Sequence, residues 1–250
     1  MTVEMLAEGV RRILAPNPGP WTLEGTNTYL LGHRRVVVLD PGPDTQTHLD
    51  AIRTASPEIC AVLLTHRHPD HAESAEHLAS SLGVALLEPR DGEPVVLDHA
   101  TLETIATPGH SSDHRCFLLR EARILFSGDH VLGRGTTVVA HPDGDMSDYM
   151  RSLDRLIGMD ISTIYPGHGP TIENPAEVLQ GYRQHRLARE TKVLNSVSEG
   201  PRDLEQILGI AYDDVAEEVL PAARLSLRAH LDKLVADGVL THEEDRWRLR

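Results

Sequence analysis

The run Thr65-His66-Arg67-His68-Pro69-Asp70-His71 packs three imidazoles and one carboxylate into seven residues. Neutral imidazole is a common ligand for zinc and similar metals, and carboxylate is its usual partner. His66 and His68 stand two apart, so in extended chain they point to one side and can grip one ion. Asp70 and His71 come around the turn and can face a second. A lone histidine here would be an ordinary solvated side chain. A His-x-His-x-Asp-His run directly after an apolar strand is far more specific.

Such a cluster needs a scaffold. Cys60-Ala61-Val62-Leu63-Leu64 precedes it and has the pattern of a buried strand. That places the polar residues at the strand's carboxyl end, where open α/β sheets bind ligands. Pro69 argues against a helix through the run and keeps His68 extended. A helix is expected after it, over 72–82, ended by Gly83.

Three more strand-like runs end the same way. Residues 102–106 lead to Thr107-Pro108-Gly109-His110-Ser111-Ser112-Asp113-His114. Ile124-Leu125-Phe126 leads to Ser127-Gly128-Asp129-His130, and Ser162-Thr163-Ile164-Tyr165 to Pro166-Gly167-His168. Loops at one end of a sheet can meet in space although they are far apart in sequence. The inventory is His66, His68, Asp70, His71, His110, Asp129 and His168. Two metals, each taking two or three histidines and sharing one carboxylate and a hydroxide, would use all of them. Residues 10–15 are expected as a strand, and 27–31 and 36–40 as a hairpin. Residues 48–54 are expected as a short helix and 146–156 as a longer one. His33, His48, His77 and His99 are expected at the surface.

A chain of 250 residues suits one large α/β domain, or one domain with a small appendage. With aromatics at only 4%, an aliphatic core is expected. The net charge of −14 argues against nonspecific adhesion to polyanions. It does not exclude a nucleic-acid substrate, because divalent metals and local arginines can reverse the field at a site. Cys60 and Cys116 sit in apolar runs and are expected as buried core thiols, which fits a reducing compartment. The start, Met1-Thr2-Val3-Glu4-Met5, lacks the pattern of a signal peptide, and no apolar run approaches the roughly 18–20 residues of a membrane span. A cytoplasmic protein with no membrane partner is expected.

With these motifs the sequence resembles the metallo-β-lactamase-fold hydrolases over about residues 10–190. It shows Asp40 after a strand, then His66-x-His68-x-Asp70-His71, His110, Asp129 and His168, in the family's order. It is more closely similar to the lactamase-β-like endoribonucleases. That likeness rests on Gly25-Thr26-Asn27-Thr28-Tyr29-Leu30, Thr107-Pro108-Gly109-His110, Ser127-Gly128-Asp129, Gly133-x-Gly135-Thr136-Thr137-Val138, Asp148-Tyr149-Met150 and Tyr165-Pro166-Gly167-His168-Gly169-Pro170. The resemblance implies a four-layer αββα sandwich and two Zn2+ ions. It puts His66, His68 and His110 on one ion and Asp70, His71 and His168 on the other, with Asp129 bridging. Asp40 would support the ligands rather than bind metal.

Two such ions can activate a water at neutral pH and stabilise a developing oxyanion. Asp70 is a candidate to orient that water. His114 and His130, beside ligands, are candidates to protonate a leaving group, with a supporting role favoured for each. No serine-nucleophile elbow is present. Single-stranded RNA cleavage fits the closer resemblance. A glyoxalase II-like thioesterase comes next, then a β-lactamase-like hydrolase, and remotely a mononuclear-iron persulfide dioxygenase. Flavodiiron enzymes are disfavoured because they carry Glu at the position of His68. The expected partners are a small-molecule thioester or single-stranded RNA as substrate, and a second copy of the chain in a homodimer.

The tail completes the domain plan, with a catalytic domain over 1–198 and a winged-helix-like domain over 199–250. Residues 176–196 are expected as one long helix with an apolar stripe at Val178, Leu179, Tyr182, Leu187 and Val193. Helices over 202–210, 213–220 and 222–237 and then a β-hairpin are expected to follow. A winged helix suggests nucleic acid. From Gly200 to Arg250, however, seven basic residues face eleven acidic ones, whereas duplex-binding modules gather positive charge. Packing or a substrate wall is the favoured role, with Arg224, Arg228 and Lys233 as the stripe that could touch a single strand.

Overall fold

Among the described residues, two sheets of six and five strands position the carboxyl-end loops. The structure is a computed structural model and describes residues 2–56 and 58–250; Met1, in the amino-terminal run read above, lies outside them. The chain divides into two units. One comprises Met1–Thr107, Asp113–Gly135 and Asp160–Pro175, the other Pro108–Ser112, Thr136–Met159 and Ala176–Arg250.

In the first unit, β1 (Val3–Ala7), β2 (Val10–Leu14), β3 (Asn27–Leu31), β4 (Arg35–Leu39), β5 (Glu58–Leu63) and β6 (Ala85–Leu87) form one sheet in sequence order. The first four strands pair antiparallel, and β4–β5–β6 pair parallel. The parallel crossovers carry helices: α1 (Gln46–Ala55), α2 (Pro69–Ala72) and α3 (Ala75–Leu82). Gly83, at φ +66°, closes α3 as the sequence indicates. The second sheet has the order β11-β10-β9-β8-β7, from β7 (Pro94–Val96), β8 (Thr101–Ala106), β9 (Arg115–Leu119), β10 (Ile124–Gly128) and β11 (Thr163–Pro166).

Alternation along the strands makes two cores. Leu31, Val37, Leu39, Leu63, Leu102, Leu119 and Phe126 meet in one apolar cluster drawn from both sheets. Leu30, Val36, Val38 and Val62 point to the other face of the first sheet, against Leu49 and Ile52 of α1 and Leu78 of α3. The expectation of an aliphatic core needs correcting at one place. Tyr29, Phe126 and Tyr165 pack with ring centroids 5.1–5.9 Å apart, concentrating the scarce aromatics between the sheets. Cys116 is buried as expected, but Cys60 is only half-buried; neither is in a disulfide.

In the second unit, α4 (Met146–Ile157) is capped by Asp145, whose carboxylate accepts the Asp148 N–H. Helix α5 (Pro175–Ser196) departs from its expected stripe: Leu187 is exposed, whereas Arg186 and Arg189 are buried. Helices α6 (Leu204–Ala211) and α7 (Leu220–Ala236) and the hairpin β12 (Leu240–Glu243)–β13 (Arg246–Leu249) follow. Asp203 and Gln206 form a capping box on α6. The helix expected over 213–220 shrinks to a 3-10 turn, Glu217–Val219; Asp213 and Asp214 turn instead to Lys192 and Arg189 of α5. Val193, Ile207, Leu227, Leu231, Leu240 and Trp247 share one core. Among the described residues no helix is long and apolar enough to cross a membrane.

Candidate metal centre

Four strand ends deliver the chemistry. Strand β5 runs into Thr65 and His66, β10 into Asp129, β11 into His168, and β4 into Asp40. Parallel pairing of β4 with β5 sets Asp40 beside the end of β5, where its N–H donates to the Leu63 carbonyl at 3.0 Å. Asp40 holds a left-handed backbone, φ +51°, which aspartate tolerates better than most residues. His68 is extended as expected, but Pro69 begins a helical turn rather than preceding one. Pro is well suited to a first helical position, and Asp70 and His71 therefore ride on α2.

The donor atoms of Asp70, His71, Asp129 and His168 lie within 4.8 Å of one another. His71 Nε2 is 3.2 Å from His168 Nε2 and 3.3 Å from Asp129 Oδ1. His168 Nε2 is 3.0 Å from Asp70 Oδ2 and 3.5 Å from Asp129 Oδ2. The two oxygens of Asp129 thus face different imidazoles. His71 and His168 are fully buried, and Asp70 is the more open of the two carboxylates.

Each ring is hung by its other nitrogen. His71 Nδ1–H donates to Asp40 Oδ2 at 2.9 Å, and His168 Nδ1–H to the Gly25 carbonyl at 3.2 Å. Both Nε2 lone pairs are thereby turned inward. Asp40 also accepts the Thr65 N–H and hydroxyl, each at 2.7 Å. The Thr65 hydroxyl oxygen in turn accepts His66 Nδ1–H at 3.0 Å, which aims His66 Nε2 toward His68 Nδ1, 3.0 Å away. His110 lies in the second unit, where its Nδ1–H donates to the Val138 carbonyl at 2.7 Å.

This donor set fits a cation. Burial alone would strip the proton from His71, but the charges of Asp129 and Asp40 outweigh it and hold its proton affinity well above the ordinary histidine value. His168 is likewise opposed by burial, yet Asp129 and Asp70 push it up to about 9. Burial works against charge on Asp129 too, but His168 and His71 hold it well below the usual carboxylate range. The carboxylates thus draw positive charge to the point where the nitrogens meet, and a divalent ion is the natural bearer of it.

Several supports went unread in the sequence. Asn27 Nδ2 donates to the carbonyls of Pro166 and Gly169 at 2.9 Å, and Tyr29 Oη to that of Pro166 at 2.7 Å, so β3 clamps the His168 loop. The Thr26 hydroxyl donates to the Asp70 carbonyl. Polar residues on an otherwise apolar strand were the available signal. Gly167 allows close approach of backbone, since a Cβ there would lie 2.6 Å from Asp129 Oδ1. His48, expected at the surface, is fully buried 2.9 Å from the Thr28 hydroxyl, and burial lowers its pKa to about 4. His99 is half-buried rather than exposed, while His33 and His77 are open. His114 is buried with Nδ1 2.8 Å from the Thr107 hydroxyl, and its Nε2 accepts the Asp129 backbone N–H at 3.2 Å. The ring of His130 is buried 5.9 Å from that of His114. In the second unit, the basic stripe is paired with acids: Arg224 with Glu205, Arg228 with Asp232, and Lys233 with Glu190 and Asp237.

Residues 21–101 and 85–168 match the family described as Metallo-beta-lactamase superfamily, and residues 204–247 match the Beta-lactamase associated winged helix domain. The Beta-lactamase-like protein 2 homolog of Caenorhabditis elegans is 35% identical over 95% of this chain and 88% of its own length. The Atrochrysone carboxyl ACP thioesterase of Aspergillus fumigatus is 36% identical over 77% of this chain and 66% of its own. The crystal structure of a metallo-beta-lactamase family protein from Thermus thermophilus shares the fold, with a TM-score of 0.78 at 22% identity over 98% of this chain and 100% of that one.

Proposed function

The chain belongs to the metallo-beta-lactamase superfamily, with its α/β fold and a carboxyl-terminal winged helix, and is a metal-dependent hydrolase; on that premise we propose that it holds two zinc ions and cleaves a thioester. The observation that carries the reading is the inward aim of His71 and His168, each fixed through Nδ1, onto the two oxygens of Asp129. Asp70, His71 and His168 would hold one ion, and the family resemblance assigns His66, His68 and His110 to the other. The grouping of Asp70, His71, Asp129 and His168 as metal-capable side chains supports the first of these, and Asp129 would contribute to both. Such a pair of ions would supply a nucleophilic hydroxide at neutral pH and polarise a carbonyl.

The chain's own groups do the rest. Asp40 and the Gly25 carbonyl fix the ring tautomers. Asp70, the more open carboxylate, orients the attacking water. His114 steadies Asp129 through its backbone N–H, a positioning role that fits the hydrogen bonds of both ring nitrogens better than proton donation. A thiolate leaves without the strong need for a proton that an alkoxide has, so a thioester asks for no separate acid.

Single-stranded RNA cleavage is the second reading, favoured by the motifs shared with the lactamase-β-like endoribonucleases. The acid pairing of Arg224, Arg228 and Lys233 weighs against it. On the same proposal the catalytic domain takes residues 1–198 and the winged-helix-like domain 199–250. The protein works in the cytoplasm, as a homodimer to be checked by sedimentation.

The test is a metal assay with parallel turnover of an acyl thioester, single-stranded RNA and nitrocefin. Two zinc ions per chain, and thioester turnover lost in His66→Ala and Asp129→Ala, are expected. RNA cleavage with inert thioesters would replace the first reading by the second. One iron per chain with oxygen uptake would instead mark a dioxygenase.

A further inference from the structure

We infer that Arg186 is a positioning residue for His110, acting through the Thr137–Val138 backbone. The inference rests on the assignment of His110 as a ligand. Arg186 lies on α5 and is 3% exposed. Its Nη2 donates to the Thr137 carbonyl, and its guanidinium lies 5.1 Å from the ring centroid of Tyr149 on α4. Among the described residues no carboxylate pairs with it, and its Nε has no hydrogen-bond partner. Arg189, three residues on, differs: it has Asp214.

Burying a guanidinium without a counter-charge is costly, and an apolar side chain would fill the space more cheaply. Arg186 can do one thing that an apolar side chain cannot, which is to pin a backbone carbonyl. The pinned residue, Thr137, directly precedes Val138, whose carbonyl accepts His110 Nδ1–H at 2.7 Å. That hydrogen bond sets the tautomer and places the lone pair on Nε2.

Helix α4 holds the other side of the same loop. The Asp145 N–H donates to the Gly109 carbonyl at 2.9 Å, and the Ser152 hydroxyl to the Pro108 carbonyl at 2.8 Å. Gly109, at φ +135°, lies against the helix backbone; a Cβ there would stand 2.3 Å from Tyr149 N. His110 is therefore set between a loop fastened to α4 and a carbonyl fastened through Arg186 to α5. His71 and His168 take their tethers from other residues, Asp40 and Gly25.

Selective loosening of one ion is the distinguishing result. Arg186→Met is expected to keep about one tightly bound zinc and to bind the second about tenfold or more weakly, the scale seen when outer partners of ligands are removed. Arg186→Lys should fall between it and the parent. Arg183→Met, which removes an exposed partner of Asp154 from the same helix, should keep both. In the metal-free protein the His110 Nδ1 proton should exchange faster with solvent in Arg186→Met. In a His110→Ala background, Arg186→Met should lower zinc content no further. Equal affinity for both zincs in Arg186→Met overturns the inference. If that variant does not fold, parent-like zinc binding in Arg186→Lys overturns it. Two tight zincs in His110→Ala alone would overturn the ligand assignment itself, a separate result.

Discussion

Asp40 Oδ2 accepts the Nδ1–H of His71 at 2.9 Å, with both side chains shut away from solvent. The same carboxylate takes two hydrogen bonds from Thr65, which in turn holds His66. One side chain outside the proposed ligand set thus orients two imidazoles. Asp40→Asn keeps the size and tolerates the left-handed backbone, but weakens the acceptor. Zinc affinity should fall about 10–100-fold while the fold persists. Chelator competition measures it, and parent-like affinity would remove Asp40 from the account.

Gly167→Ala probes the close packing behind the same site. The added methyl would stand 2.6 Å from both Asp129 Oδ1 and His71 Cε1. Both atoms belong to buried side chains with little room to retreat, so the proposed ligands must shift. Overpacking of this kind costs about 1–3 kcal/mol, and turnover should fall by more than the loss of folded protein explains. Parallel thermal melts and steady-state rates separate the two effects.

His48 makes stability depend on pH. In the unfolded chain it takes a proton as the pH falls through about 6.5; in the folded chain burial delays this to about 4. Between those values the unfolded state binds more protons, so stability rises with pH and is lost on acidification. From pH 6.5 to 5 the contribution is about 2 kcal/mol. His48→Gln should flatten that part of the urea-unfolding profile. A profile as steep as the parent's would assign the slope to other groups.

Arg224→Gln with Arg228→Gln tests the tail. Glu205 is exposed and Asp232 half-buried, and pairs open to solvent contribute about 0–1 kcal/mol. Thioester turnover and melting temperature should barely change. A severalfold fall in cleavage of single-stranded RNA, with thioester turnover intact, would instead give the stripe a substrate.

What the sequence disclosed, it disclosed through strand ends. His66, Asp129 and His168 each follow an apolar run, and period-two patterning places whatever comes next at a sheet edge. Asp70 and His71 were found by type but misplaced, because Pro69 can open a helix as well as forbid one. His48 gave no signal: a histidine on a polar helix is ordinary, and its partner Thr28 lies on another strand. Arg186 and Arg189 were hidden for a similar reason. Their positions look solvated, and only the packing of α5 with α4, α6 and the 3-10 turn's neighbours shows otherwise.

The tethering of His66, His71, His110 and His168 through Nδ1 has an outcome for the protein's life history. Rings suspended from the scaffold do not need an ion to hold their pose, so folding can be finished before loading begins. Which cation enters is then decided by supply and by the taste of the nitrogens and oxygens on offer, and a vacated cage keeps its shape for the next occupant.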